Sequence, residues 1–329
     1  MKANSPLRFA PAESLARNLA FIDGITRSGK FWLANLLHHF EDVEHIRHDP
    51  AVDHVSVMYY LGMIREDAAV SLLRDIVNRH TYENAIGRNV NFRFADHSSV
   101  YHSPKLQDYL MRVSGPDVFP RKVFEKLRRG SRYSMFIAHD WLSTPTVQIK
   151  AFPKMKLLRI ERNPVDLVNA WHSTKIGMDR MFFNCRVHGL KGSVPWFAHE
   201  WRDEFDSMAE MDRIIRAVLW LDEAARSTYR ILPELNQKMI FFTAYEVMAV
   251  KPLEEAEKIA AFLGTRTSDT LQAYVLQKPF RERTGSQILK ARQGKLKIIR
   301  EKASKPWYKR LVQAGDAYEE RRGKCTTRT

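Results

Sequence analysis

The stretch Asn18-Leu19-Ala20-Phe21-Ile22-Asp23-Gly24-Ile25-Thr26-Arg27-Ser28-Gly29-Lys30-Phe31-Trp32-Leu33 decides the fold class. Its first six residues form a short, mainly apolar run that stops at Gly24, the pattern of a buried strand. Gly24 to Lys30 is a polar loop bounded by glycines. Beyond it Leu33, Leu36, Leu37 and Phe40 recur at helical spacing. Strand, polar loop and amphipathic helix in that order predict half of an α/β unit. Gly24-x-x-x-x-Gly29-Lys30 also satisfies most of a phosphate loop. Glycines let successive N–H groups turn toward an anion, and the helix that follows adds its positive end. Nucleoside-triphosphate enzymes next carry a Ser or Thr whose hydroxyl holds Mg²⁺. Here that position is Phe31, which keeps anion binding and argues against ATP or GTP hydrolysis.

The rest of the chain extends the alternation. Residues 54–79 read as a helical insertion with Leu61, Ile64, Ala68, Leu72 and Ile76 on the inner face, and Tyr82 to Ser103 as loop. Met135 to Ala138 and Leu157 to Ile160 read as short strands, each followed by a polar segment and a helix. Residues 205–231 give the longest helical pattern, with Phe205, Met208, Ile215, Leu219 and Ala225 inward. Lys238 to Tyr245 reads as another strand. Pro252 to Leu263 reads as a helix begun by proline and stopped by Gly264. Such alternation predicts a doubly wound α/β domain, a parallel sheet with helices on both faces. One domain is expected over 1–280, with a basic, partly helical extension over 281–329 packed on it.

A second anion site is suggested at Arg162-Asn163-Pro164-Val165-Asp166-Leu167-Val168-Asn169-Ala170-Trp171-His172-Ser173. Asn163 suits a helix cap, Pro164 the first helical position and Asp166 the first turn. Arg162 then stands at the carboxyl end of a strand, where ligands gather in open parallel sheets. An ordinary strand-to-helix turn with Arg162 paired to Asp166 or a neighbour is the plain alternative.

Together the two segments point to a family. Thr26-Arg27-Ser28-Gly29-Lys30-Phe31-Trp32-Leu33 resembles the 5′-phosphosulfate loop of the sulfotransferases, and Arg162 to Ser173 resembles their 3′-phosphate motif. Ile137-Ala138-His139-Asp140 stands where the cytosolic members have a Thr-His-Leu-Pro segment. Phe241 to Glu246 with the helix after it resembles a further strand of the family. The likeness runs from about Leu19 to Gly264. It implies a P-loop-like fold of the nucleoside-triphosphate-hydrolase type and transfer of a sulfuryl group from 3′-phosphoadenosine 5′-phosphosulfate (PAPS), with no metal required. By position it makes His139 the general base, with Arg27 and Lys30 stabilising the moving sulfonate. Ser28, Gly29, Lys30, Phe31 and Trp32 would meet the 5′-phosphate, and Arg162 the 3′-phosphate. Three positions depart from the pattern. Lys30 replaces the usual Thr, and Ala170 replaces a Ser for which Asn169 or Ser173 would have to substitute. The C-terminal glycine-rich element is reduced to Arg292-Gln293-Gly294-Lys295, followed by Trp307.

Composition narrows the partners. The 329 residues carry 53 Lys and Arg against 38 Asp and Glu, a net +15. Residues 281–329 hold 15 of the basic and 5 of the acidic groups, so the excess is concentrated where anionic ligands would be met. The tail from Gln287 to Lys302 sets Ile288, Leu289, Leu296 and Ile299 among basic residues. It is expected to pack on the domain and present Arg292 and Lys295 to the cofactor, rather than bind a membrane or nucleic acid. No apolar run is long enough for a membrane span, the N-terminal residues lack a leader core, and two cysteines suit a reducing compartment. A cytoplasmic enzyme acting on a small-molecule or glycan acceptor is the expectation. The rivals are a nucleotide-dependent kinase and a non-catalytic binder of anionic ligands. His38, His39, His45, His48 and His54 among Asp42, Glu44, Asp49 and Asp53 lack a compact metal motif and read as helix-end and loop residues. Asp96, His97 and His102 are alternative bases. Trp171, Trp196, Trp201, Phe182 and Phe183 flank Lys175 to Pro195, a segment placed to cover an acceptor or simply to pack. The sequence is silent on acceptor identity and oligomeric state.

Overall fold

The computed structural model describes residues 7–96, 98–116, 119–144, 146–175, 185–277 and 284–326. His97, Phe182, Phe183, the side chain of Cys325 and the 280/281 boundary therefore lie outside the described residues. Five parallel strands form the central sheet: β1 (Asn18–Asp23), β2 (Arg47–His48), β3 (Tyr133–Ile137), β4 (Lys156–Glu161) and β5 (Ile240–Ala244), in the order β2-β3-β1-β4-β5. Phe21 of β1 lies opposite Phe136 of β3 and Leu157 of β4, which fixes the register at the middle of the sheet. The helices used below are α1 (Lys30–Leu37), α2 (Pro50–Tyr60), α3 (Glu66–Ile86), α4 (Leu106–Ser114), α5 (Pro120–Arg129), α6 (Pro164–Thr174), α7 (Glu210–Ile231), α8 (Pro252–Leu263), α9 (Gly285–Lys302) and α10 (Lys305–Thr326).

Alternation along β1 explains the layers. Ala20 and Ile22 point into a core with Leu33, Leu36 and Leu37 of α1 and Ile259 and Leu263 of α8. Leu19 and Phe21 point the other way, against Val55 of α2, Leu73 and Val77 of α3 and Ala225 of α7. Both faces of β1 are therefore buried, and each large apolar side chain there contributes about 1.5–3 kcal/mol. The sheet is doubly wound, as the alternation of elements predicts, and with the glycine-bounded loop between β1 and α1 it is P-loop-like, as the resemblance implies.

Several boundaries differ from expectation. The insertion read as one helix is two, broken at Leu61–Arg65 where Gly62 takes a left-handed φ of 71°. The inner face of α3 consists of Ala69, Val70, Leu73 and Val77, one position on from the residues expected, and Leu72 is exposed. The helix also runs on to Ile86, into the expected loop. Phe205 belongs to a separate short turn, Arg202–Phe205, before α7. In the tail, Ile288 and Ile299 are buried as expected, but Leu289 is exposed. α9 and α10 fold back on α6 and α7, where Ile299 and Leu311 join Val168 and Trp171 in one core.

Candidate active site

At the carboxyl end of β1 the chain turns through Gly24 into the loop that leads to α1. A Cβ on Gly24 would sit 2.5 Å from the backbone oxygen of Ile160 in β4 and 2.6 Å from Ser28 Oγ, so only glycine lets the loop close on the neighbouring strand. Arg27 adopts a left-handed φ of 73° and Gly29 one of 109°, a turned backbone of the kind that directs N–H groups inward. No side chain caps α1 and no acidic residue lies in its first turn, which leaves the positive end of the helix facing the loop. Ser28 Oγ is buried without a hydrogen-bond partner among the described residues. Such an orphaned hydroxyl, beside backbone donors, fits a bound phosphate or sulfonate oxygen.

Lys30 is placed differently from a lysine that reaches toward an anion. Its ammonium is buried and donates to the carbonyls of Gly24 and of Ile25, the latter at 3.2 Å. Burial pulls its pKa down to about 8, against the opposing pull of Asp140 and Asp23. In this arrangement Lys30 staples its own loop. Arg27 is exposed, and its carbonyl accepts a 3.0 Å hydrogen bond from Arg162 Nη1.

That contact joins the two expected phosphate motifs. Arg162 leaves β4 with its guanidinium 4.2 Å from the centre of the Tyr245 ring. Asn163 caps α6 by accepting from Val165 N, and Pro164 occupies the first helical position. The Trp171 indole, buried in α6, donates to Thr26 O at 2.8 Å and ties the helix back to the first loop. Of the partners in the plain alternative, Asp166 does not pair with Arg162. Asp166 binds Arg292 and Lys295 instead, at 2.9 and 2.7 Å.

This overturns one expectation about the tail. Arg292 also contacts Glu246 and Glu319, at 3.3 and 2.5 Å, so its charge is matched by three carboxylates and is not presented to a cofactor. Lys295 is held by Asp166, and Gly294 faces open space on α9. Ser173 donates to Ala170 O near the far end of α6, three residues beyond the position where the resemblance expects a serine. Asn169 is half-buried in the middle of the same helix.

His139 lies just beyond β3, beside β1, on the same sheet edge. Its backbone N–H donates to Asp53 Oδ1 at 2.9 Å, and its Nδ1 lies 3.1 Å from Asp53 Oδ2. Asp140 follows with a left-handed φ of 58°. Asp23, fully buried, holds that turn by accepting from Trp141 N and Leu142 N at 2.9 and 3.1 Å, and it receives Arg159 Nη1 at 2.7 Å. Burial drives the Asp53 carboxyl well above its ordinary value, opposed by the His139 N–H and the charge on Lys30. The His48 ring centre is 5.2 Å from that of His139, and Phe31 of the phosphate loop meets His48 edge-on at 5.6 Å.

One atom from each of His48, Asp53 and His139 lies within 4.8 Å of the others, a donor set able to hold a metal ion. His48 and Asp53 were read from the sequence as helix-end and loop residues. They stand beside His139 because β2 pairs with β3 and α2 begins at Pro50. Asp96 and His102 lie in the turn before α4. There Asp96 accepts from Ser98, and His102 contacts the carbonyl of Phe94. Trp171, Trp196 and Trp201 are all buried in one core with Phe197.

A family model described as a sulfotransferase domain matches residues 18–315. The chain belongs to the sulfotransferase family. Among solved structures it is similar to the sulfotransferase domain from the curacin biosynthetic pathway, at 12% identity over 92% of this chain and 98% of that one, with a TM-score of 0.47. It is similar to a sulfotransferase from Alicyclobacillus acidocaldarius at 15% identity, over 89% and 99% of the two chains, TM-score 0.36. It also resembles a mouse sulfotransferase complexed with PAP at 18% identity, over 78% and 63%, TM-score 0.33. No curated protein sequence matches the chain. Among the described residues of this sulfotransferase no helix is long and apolar enough to cross a membrane. Sequence reasoning gives Asp23 and Tyr245 no role in the site, and gives Asp53 and Trp171 other ones. Asp23 carries a signal, a carboxylate closing an apolar strand just before the loop.

Proposed function

We propose that this sulfotransferase moves a sulfuryl group from PAPS to a hydroxyl or amine of a small-molecule or glycan acceptor, in the cytoplasm and without a required metal. The observation that carries the reading is the Arg162-to-Arg27 hydrogen bond, which brings the two phosphate motifs onto one sheet edge with His139 two strands from Arg162. Backbone N–H groups of Ser28 to Trp32 receive the 5′-phosphate, and Arg162 receives the 3′-phosphate. Lys30 keeps the loop closed and lends its charge from behind; it reaches the sulfonate directly only by releasing the Gly24 and Ile25 carbonyls. Arg27 offsets charge on the oxygens of the moving group. His139 takes the acceptor's proton as the new bond to sulfur forms and the bond from sulfur to the 5′-phosphate oxygen breaks. A positioned base of this kind contributes about 10²–10⁴ in rate, and in-line transfer is otherwise positioning and charge stabilisation.

Calorimetric titration with adenosine 3′,5′-bisphosphate tests the reading. Binding that is lost in Arg162→Ala, together with loss of turnover but not of binding in His139→Ala, is expected. Preference for Mg-ATP sinks it in favour of the kinase, and binding of neither nucleotide in favour of the non-catalytic binder.

A further inference from the structure

We infer that Asp53 is a positioning residue for the histidine base: it fixes His139 as the tautomer protonated at Nδ1 and so presents Nε2 as the basic nitrogen. The inference rests on the assignment of His139 as base and adds what orients it.

The geometry is two-pronged. One carboxylate oxygen of Asp53 accepts the backbone N–H of His139 and the other faces its ring Nδ1, at 2.9 and 3.1 Å. Main chain and side chain of one residue are thus gripped by a single carboxylate, and the ring cannot turn without breaking the second contact. Asp53 itself sits in the first turn of α2, where Asp49 caps the helix by accepting from Ala51 N. Both partners are buried, with Asp53 5% and His139 9% exposed, so the hydrogen bonds face little competition from water. On its other side the turn after His139 is held by Asp23 through Trp141 N and Leu142 N. One carboxylate thus grips the histidine and a second, from another segment, holds the turn that follows it. A buried carboxylate on one ring nitrogen sets the tautomer and orientation of a catalytic imidazole and stabilises the imidazolium that forms when it accepts a proton.

The charged and titratable groups around the pair come from every neighbouring element: Lys30 from α1, Asp23 from β1, His48 from β2, Asp140 beyond β3, and Cys185. Burial, Asp140 and Asp23 favour proton uptake by Asp53, while the His139 N–H and Lys30 oppose it. The alternative state has the proton on Asp53 and His139 protonated at Nε2. In that state the base would face the acceptor with the wrong nitrogen, so the two arrangements predict opposite spectra.

The test is ¹⁵N NMR of the histidine-labelled full chain in EDTA, with His139 assigned by comparison with His139→Ala. EDTA prevents a metal ion on His48, Asp53 and His139 from imposing the tautomer. The Nδ1–H form is expected in the wild type. In Asp53→Asn the amide oxygen keeps the backbone N–H, its NH₂ faces Nδ1, and the signal switches to the Nε2–H form. Sulfuryl-transfer kinetics should then show kcat down by about 10²–10⁴ with KM for the donor within threefold. Asp53→Glu, which keeps a carboxylate, should recover part of kcat. An Nε2–H signal in the wild type overturns the inference, as does Asp53→Asn with kcat within threefold of wild type. If Asp53→Asn does not fold, the wild-type spectrum and Asp53→Glu decide the matter. If the wild type transfers no sulfuryl group, the reading of the reaction fails, while the wild-type spectrum still tests the pairing.

Discussion

The loop after β1 keeps its shape mostly with atoms of its own few residues, and Trp171 and Arg162 add donors to the carbonyls of Thr26 and Arg27. Lys30 ties down the carbonyls of Gly24 and Ile25, Ser28 N donates to Ile25 O at 3.0 Å, and glycine admits the approach to β4. The turn after β4 is held from far along the chain. Asn163 N donates to Glu246 at 3.0 Å, and Asn163 Nδ2 donates to Glu319 at 2.9 Å and Gly315 O at 3.3 Å. Glu246 in turn accepts from Tyr318 at 2.6 Å, and Arg292 spans Asp166, Glu246 and Glu319. The first turn is held largely from within, and the second is braced by the C-terminal helices. A turn at the sheet edge can therefore be specified by a short motif or by a remote buried ion network, and this chain leans on one of each.

The sharpest way to break that contrast is Arg292→Ala. It leaves Asp166 and Glu246 buried with part of their positive partner gone, for an expected loss of about 3–5 kcal/mol. Urea unfolding measures it, and a loss below about 1 kcal/mol would show that the second turn stands without the tail. Next in size is Gly24→Ala, where the new methyl meets the Ile160 backbone oxygen, which cannot swing aside as a side chain would. About 1–3 kcal/mol is expected from thermal unfolding, and a neutral result would mean that the first loop is less closely built than its contacts indicate.

The smallest effect depends on pH. Burial holds Lys30 near pKa 8 in the folded protein, below the ordinary lysine value of about 10.4. Between those values the unfolded chain binds more protons than the native one, so the stability of the native state rises with pH across that interval. Relative to Lys30→Met, the wild type should gain about 1 kcal/mol from pH 7.5 to pH 9. Paired urea midpoints at the two pH values provide the check. An unchanged difference would place the Lys30 ammonium in contact with water.

The same contrast explains what could be read from the sequence. The strands β1, β3, β4 and β5 announce themselves as apolar runs, and α8 is bounded as expected by Pro252 and Gly264. β2 is only Arg47 and His48, polar residues that become a strand by pairing with Phe136 and Ile137, so no local pattern marks it. α4 and α5 each bury a single residue, Tyr109 and Val123, so the core leaves little mark on their sequence. In the candidate site, the two loops after β1 and β4 stand out in the sequence because each motif is contiguous. Asp53 was legible only as one acid among several, since its partner His139 lies 86 residues away. Arg292 and Lys295 were assigned to phosphate because a basic helix shows its charge in sequence, whereas the carboxylates that neutralise it lie on three other elements.

The clamp of Glu319 and Gly315 on Asn163 has a consequence for the order of assembly. Those contacts close a span of more than 150 residues, so the second turn reaches its final form only after nearly the whole chain has been synthesised. The sheet strands and the loop that Lys30 fastens lie earlier and depend mostly on nearer partners. On the ribosome the first turn thus meets its partners well before the second. Docking of α9 and α10 is the step that completes the second turn on an already folded sheet.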